Sequence, residues 1–191
     1  MTSALLTALL LGLTPSPSGP STSAPPAYTA IYDRGVPFAQ FLGAVKELED
    51  EWRGNFASAM FDETTIARAR ALKGQWRILV VAEDWCHDSV NTVPYLAKLV
   101  GESPETLSMR VVRKSIGQPV LTAHRTADGR GATPTIVILD ADGGVKGVIV
   151  ERPAALLEYS REHSSQGDRR RWYADDQGRH AVAELLDLIE K

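Results

Sequence analysis

The hydrophobic pattern along this 191-residue chain changes period several times. Across residues 37–52, Phe38, Phe41, Leu42, Val45, Leu48 and Trp52 recur at helical spacing on one face, and Pro37 suits a helix start. Residues 63–72 predict a second short helix, ended by Gly74. The period then shortens. "WRILVVA", 76–82, is nearly continuously apolar and β-branched, the pattern of a strand buried on both faces. "SVNTVPYLAKLV", 89–100, reads as a helix with Val90, Val93, Leu96, Ala97 and Val100 inward and a kink at Pro94. A second strand is expected over 107–114, a short helix over 119–126 and a third strand over 134–140. "ADGG", 141–144, is a turn, and a fourth strand over 145–151 completes a β-hairpin. Helices are expected over 154–163 and 179–189, with "SSQGDRR" between them as a polar loop. This order predicts an α/β fold: a parallel strand pair joined by a crossover helix, with an antiparallel hairpin added.

The N-terminal segment has a different character. "MTSALLTALLLGL" carries an apolar run over 4–13, too short to span a bilayer but suited to a signal-peptide core. The Pro- and Ser-rich "TPSPSGPSTSAPPA" that follows reads as a linker. No Lys or Arg precedes Arg34, and no cysteine is present there to carry a lipid anchor. The expectation is an exported or periplasmic protein, with a cytoplasmic one as the alternative and no stable membrane insertion. Residues 1–29 are then a signal-like segment plus linker, and 30–191 one domain. Within it, 30–74 form a helical extension and 75–191 the core.

Composition narrows the function. A net charge of −3 and no long basic block argue against nucleic acid as a partner. The run Arg169–Arg170–Arg171 reads as a solvated loop. A single cysteine, Cys86, excludes an internal disulfide and a cysteine-based zinc site, and no metal or other cofactor is expected.

That cysteine lies in "EDWCHDS", 83–89, at the end of the first strand. Together with "GATPT", 131–135, just before the hairpin, and with the element order over 75–191, it resembles the thioredoxin superfamily. "EDWCHDS" and "ERP", 151–153, are most similar to bacterial thioredoxin-like proteins that often lack the second cysteine of Cys-x-x-Cys. The resemblance implies a three-layer fold with a central mixed sheet of about four strands. It implies that Cys86 is the nucleophile, Trp85 the aromatic before it, and His87 and Asp88 the intervening pair, with Ser89 where a resolving cysteine would stand. It also implies that Pro134 is a cis-proline facing the thiol and that the backbone of Thr133 pairs with an extended substrate segment.

The residues carry their own chemistry. The thiolate is the reactive form of cysteine, and a helix N-terminus at Cys86 favours it. Ser89 can donate a hydrogen bond to the thiolate, or instead cap the first turn. His87 favours the thiolate if protonated, and is otherwise an exposed loop residue. Asp88 opposes it by like-charge repulsion, or simply suits the helix start. Glu83 and Asp84 either shuttle protons or face solvent. Arg152 pairs with an acid near the site, binds an anion, or makes an ordinary salt bridge.

One thiol cannot release its own mixed disulfide, because the Ser89 hydroxyl is a poor nucleophile toward sulfur. The expected function is monothiol thiol–disulfide exchange through Cys86, of the isomerase or thiolation/dethiolation type. Its partners are protein or low-molecular-weight thiols and disulfides, one of them supplying the resolving thiol. The alternative is a redox-inactive module that holds an extended peptide or partner protein.

Overall fold

A computed structural model of the chain describes residues 27–191. The apolar run and all of the Pro/Ser stretch but Ala27 therefore lie outside the described residues, while Tyr28 and Thr29, expected in the linker, already belong to the first helix of the domain.

Four strands form one sheet in the order β2-β1-β3-β4. β1 (Trp76–Val81) runs parallel to β2 (Leu107–Val112) and antiparallel to β3 (Thr135–Leu139), which pairs antiparallel with the edge strand β4 (Val145–Val150). The continuous apolar runs explain the central pair: Ile78, Leu79, Val80 and Val81 of β1 and Ile136 to Leu139 of β3 are all fully buried. Alternate residues of each strand feed opposite faces. Ile78, Val80, Ile136 and Ile138 join one apolar cluster, and Leu79, Val81, Val137 and Leu139 the other.

The helices cover both faces. α1 (Tyr28–Asp33) and α7 (Lys114–Ala123) close the smaller cluster through Ile31, Tyr32, Val120 and Leu121. The larger cluster lies under α2 (Phe38–Gly43), α3 (Glu49–Ser58), α4 (Glu63–Ala71), α6 (Val93–Glu102) and α10 (Arg179–Glu190). The short α5 (His87–Val90) follows β1, while α8 (Ala154–Tyr159) and α9 (Gln166–Asp176) follow the hairpin. This is a three-layer α/β fold with a mixed four-stranded sheet. Residues 30–74 are built into its core: Trp52 is fully buried, and Val36 adds an antiparallel bridge to Val111 of β2.

Four expected elements differ in detail. The helix expected over 37–52 is two helices, because Leu48 takes a left-handed conformation (φ 55°) and the Lys46 N–H leaves the helical ladder to donate to Asp84 Oδ2 at 3.0 Å. The helix expected over 89–100 starts at His87 and breaks before Val93, which puts Pro94 in the first turn of α6, where its missing N–H costs nothing. α7 begins at Lys114 and passes through Pro119. The carbonyl that Pro119 leaves without a helical donor is that of Ser115, an exposed residue whose carbonyl water can satisfy.

The fourth difference bears on the site. "SSQGDRR" is not a loop but the start of α9, capped where Ser165 Oγ accepts the Asp168 N–H at 3.1 Å. Only Tyr173 and Asp176 of this helix are buried, so its sequence carries almost no apolar period.

Candidate functional site

The site is built where β1 ends. The Ala82 N–H still bonds to Val112 O at 3.0 Å, after which the chain leaves the sheet. The Cys86 N–H turns back to Glu83 O at 3.2 Å, and Cys86 O accepts the Val90 N–H at 3.0 Å, so Cys86 is the residue on which α5 starts. Its side chain is half-buried, and Sγ donates to the Thr133 carbonyl at 3.1 Å. Only the protonated sulfur can make that bond. The Thr133–Pro134 peptide bond is cis. This loop is pinned from below: Thr135 Oγ1 donates to Ala132 O at 2.7 Å, and Pro134 O accepts the Glu151 N–H at 2.7 Å. Thus Cys86, Thr133 and Pro134 come together across about fifty residues of chain.

Trp85 stands beside the thiol with 54% of its surface exposed, its ring under the Lys114 ammonium at 5.3 Å. His87 is also exposed, and its Nδ1 lies 4.0 Å from a Glu51 carboxylate oxygen.

Ser89 departs from expectation. It is fully buried, and its Oγ has no hydrogen-bond partner among the described residues. The thiol bonds instead to Thr133. The turn of α5 carries residue 89 into the core.

Asp88 departs as well. Rather than presenting a bare charge to the thiol, it is buried and surrounded by donors. Arg152 reaches Oδ2 through Nη2 at 3.1 Å and Nε at 3.2 Å, the Tyr173 hydroxyl donates to Oδ1 at 3.0 Å, and Arg169 Nε lies 3.6 Å away. These cations compensate the carboxylate, so its repulsion of a thiolate is weakened. Arg152 is therefore the ion-pair partner of an acid in the motif. Burial works against its charge, but hydrogen bonding and attraction to Asp88 outweigh burial and hold the guanidinium more firmly protonated. Burial, the Asp88 charge and the hydrogen bond to it push the Tyr173 hydroxyl well above the usual phenol range. The hinge for this arrangement is Glu151, held at φ 65°. There the chain turns, sending the Glu151 carboxylate back to Arg130 at 3.3 Å and Arg152 forward to Asp88.

Glu83 and Asp84 are neither free bases nor solvent-facing. Arg113 lies 2.7 Å from Asp84 Oδ1 and 3.1 Å from Glu83 Oε2, and Glu83 Oε1 accepts the Lys114 N–H at 2.7 Å. The hydrogen bond from Arg113 is the main reason the Asp84 carboxyl is held down at about 2. α3 braces the loop from the other side. Trp52 Nε1 donates to Asp84 O at 2.9 Å, and Asn55 Nδ2 donates to Val90 O at 2.8 Å.

Five residues of this framework, Trp52, Asn55, Arg113, Arg169 and Tyr173, carry no sequence signal for a site role. Only Arg169 stands out in the sequence, as part of an arginine run. Among the described residues, no group of His, Cys, Asp and Glu could hold a metal ion, and no helix is long and apolar enough to cross a membrane.

Comparison with known proteins agrees with this fold. A family model described as thioredoxin matches residues 35–164, and the chain belongs to that family. Among solved structures, a protein of unknown function from Pseudomonas aeruginosa is similar at 25% identity and a TM-score of 0.72, covering 86% of this chain and 98% of its own. An HIV epitope-scaffold is similar at 25% identity and a TM-score of 0.71, with the same coverage. No curated protein matches this sequence.

Proposed function

We propose that this protein carries out monothiol thiol–disulfide exchange through Cys86. The observation that carries the reading is the placement of the chain's sole cysteine. It is half-exposed, its Sγ lies 3.1 Å from the backbone of the residue before a cis-proline, and the position that would hold a resolving thiol is a buried serine. The Cys86 thiolate attacks one sulfur of a disulfide. A new S–S bond forms to Cys86 and the other sulfur leaves as a thiolate. Ser89 cannot reverse that step, so a thiol of the bound partner or a small external thiol completes it. The first outcome isomerises a partner's disulfides; the second thiolates or dethiolates.

A mixed-disulfide trapping experiment tests this. Incubation with a disulfide-bonded protein is expected to yield an adduct on Cys86 that a monothiol releases. Exchange that persists at the same rate in Cys86→Ser would overturn the reading. The 54% exposure of Trp85, next to Cys86, favours one second reading, a module that holds an extended segment without thiol chemistry. In that case binding of the partner would survive Cys86→Ser.

A further inference from the structure

Resting on the exchange reading, we propose that a cleft at His87, the residue after Cys86, binds an anionic low-molecular-weight thiol that resolves the Cys86 mixed disulfide. Two cavities of about 540 Å³ and 140 Å³ open between α5 and α9, the larger reaching α3, and both are walled by His87, Asn91, Arg170 and Tyr173. The larger falls within the range of roughly 300–1,000 Å³ that small-molecule sites occupy.

The walls favour an anion. Arg170 lines both cavities, and its guanidinium makes no ion pair or hydrogen bond with any described residue. Arg169 lines the smaller one and is only loosely engaged, 3.6 Å from Asp88, while Arg152 makes the closer pair. Glu51 is the single carboxylate lining either cavity, set against His87 at 4.0 Å. An unpaired guanidinium with hydrogen-bonding neighbours recognises carboxylate or phosphate.

Position supplies the link to the thiol. His87 is the residue after Cys86, about 3.8 Å away between Cα atoms. A partner paired against Thr133 and Pro134 occupies one side of the sulfur, and the cleft adjoins its neighbour His87. A thiolate held there attacks Cys86 Sγ. The bond between Sγ and the partner sulfur breaks, the partner leaves as a thiolate that takes up a proton, and the small thiol is left disulfide-bonded to Cys86. A second small thiol regenerates Cys86, so two small thiols become one disulfide while the partner's sulfur is reduced.

The test uses the full chain with Cys86 converted to its 2-thiopyridyl disulfide, following thiopyridone release. Glutathione and coenzyme A serve as anionic thiols, 2-mercaptoethanol as neutral and cysteamine as cationic, each rate normalised to the same thiol acting on a free cysteine pyridyl disulfide. The expected result is a saturable rate for an anionic thiol, about tenfold above 2-mercaptoethanol after normalisation, with cysteamine slowest. Preference for glutathione identifies carboxylate recognition, and preference for coenzyme A phosphate recognition. In Arg170→Glu the normalised preference is expected to collapse, and in Arg170→Lys to persist. Equal normalised rates for all four thiols would overturn the cleft site and leave exchange intact. Failure of Cys86 to form or release the pyridyl disulfide at all would overturn the exchange reading and this inference with it.

Discussion

Arg152 and Asp88, 64 positions apart in the chain, meet in a partly buried ion pair of 3.1 Å, two residues on from the lone thiol. The pair connects the start of α5 to the end of β4, and through Arg169 and Tyr173 to α9. It converts an acid within the motif from a charge opposing the thiolate into an anchor for the site.

Removing the cation from this pair leaves a buried carboxylate with weaker compensation. Arg152→Ala is expected to cost about 2–3 kcal/mol, below the full range for a broken buried pair because Arg169 and Tyr173 remain. Urea unfolding measures it. The double variant with Asp88→Asn is expected to lose less than the sum of the two single changes, since the two side chains share one interaction.

Ser89 buries a hydroxyl with no partner among the described residues, so Ser89→Ala removes an unsatisfied group rather than a hydrogen bond. Stability is expected to stay level or rise by up to ~1 kcal/mol. The rate of Cys86 alkylation at neutral pH is expected to remain within about twofold of wild type, given that a change of about 1.4 kcal/mol would be needed for tenfold. A large drop in that rate would show that the hydroxyl supports the thiolate after all.

Ser89→Cys supplies the missing thiol at the position it would take in a dithiol site. Oxidation is expected to join Cys86 to the introduced thiol in a disulfide, seen as the loss of two hydrogens by mass spectrometry of the intact protein. The variant is expected to gain reductase activity toward a protein disulfide, with a dithiol recycling it. Two thiols that stay free under mild oxidant would count against a scaffold arranged for redox chemistry.

Asp84 couples the loop to acid. Its folded-state carboxyl is held at about 2, below an unfolded value of roughly 3.9. The unfolded state therefore binds the proton first. The stabilisation is fully present above about pH 5 and is lost as pH falls toward about 2. Urea midpoints measured from about pH 6 down to about pH 2 are expected to fall, and the slope to flatten in Asp84→Asn. An unchanged slope in that variant would place the acid sensitivity elsewhere.

Much of the fold is legible in the sequence because local periodicity and global burial agree in it. The runs at 76–82 and 134–140 are apolar on both faces, and they form the two central strands. The turn at 141–144 separates β3 from β4, and Cys86 marks the strand-to-helix junction. Helix breaks are less legible. What divides the helix expected over 37–52 is a hydrogen bond from Lys46 to Asp84, 38 residues away, which no local pattern encodes. α9 escapes detection for the opposite reason: it is held by a few polar contacts, so its sequence has no apolar stripe to read.

The amino-acid sequence by itself determined the elements of the sheet, the single thiol and the absence of a second, because strand burial and side-chain chemistry are properties of short segments. Tertiary structure alone decided what surrounds that thiol. It set the sulfur against Thr133, turned Ser89 inward, enclosed Asp88 among Arg152, Arg169 and Tyr173, and placed Arg170 on a cleft beside His87. Most of these join residues tens of positions apart. Charge pairing and burial depend on distance through space, and that distance exists only once the chain has packed.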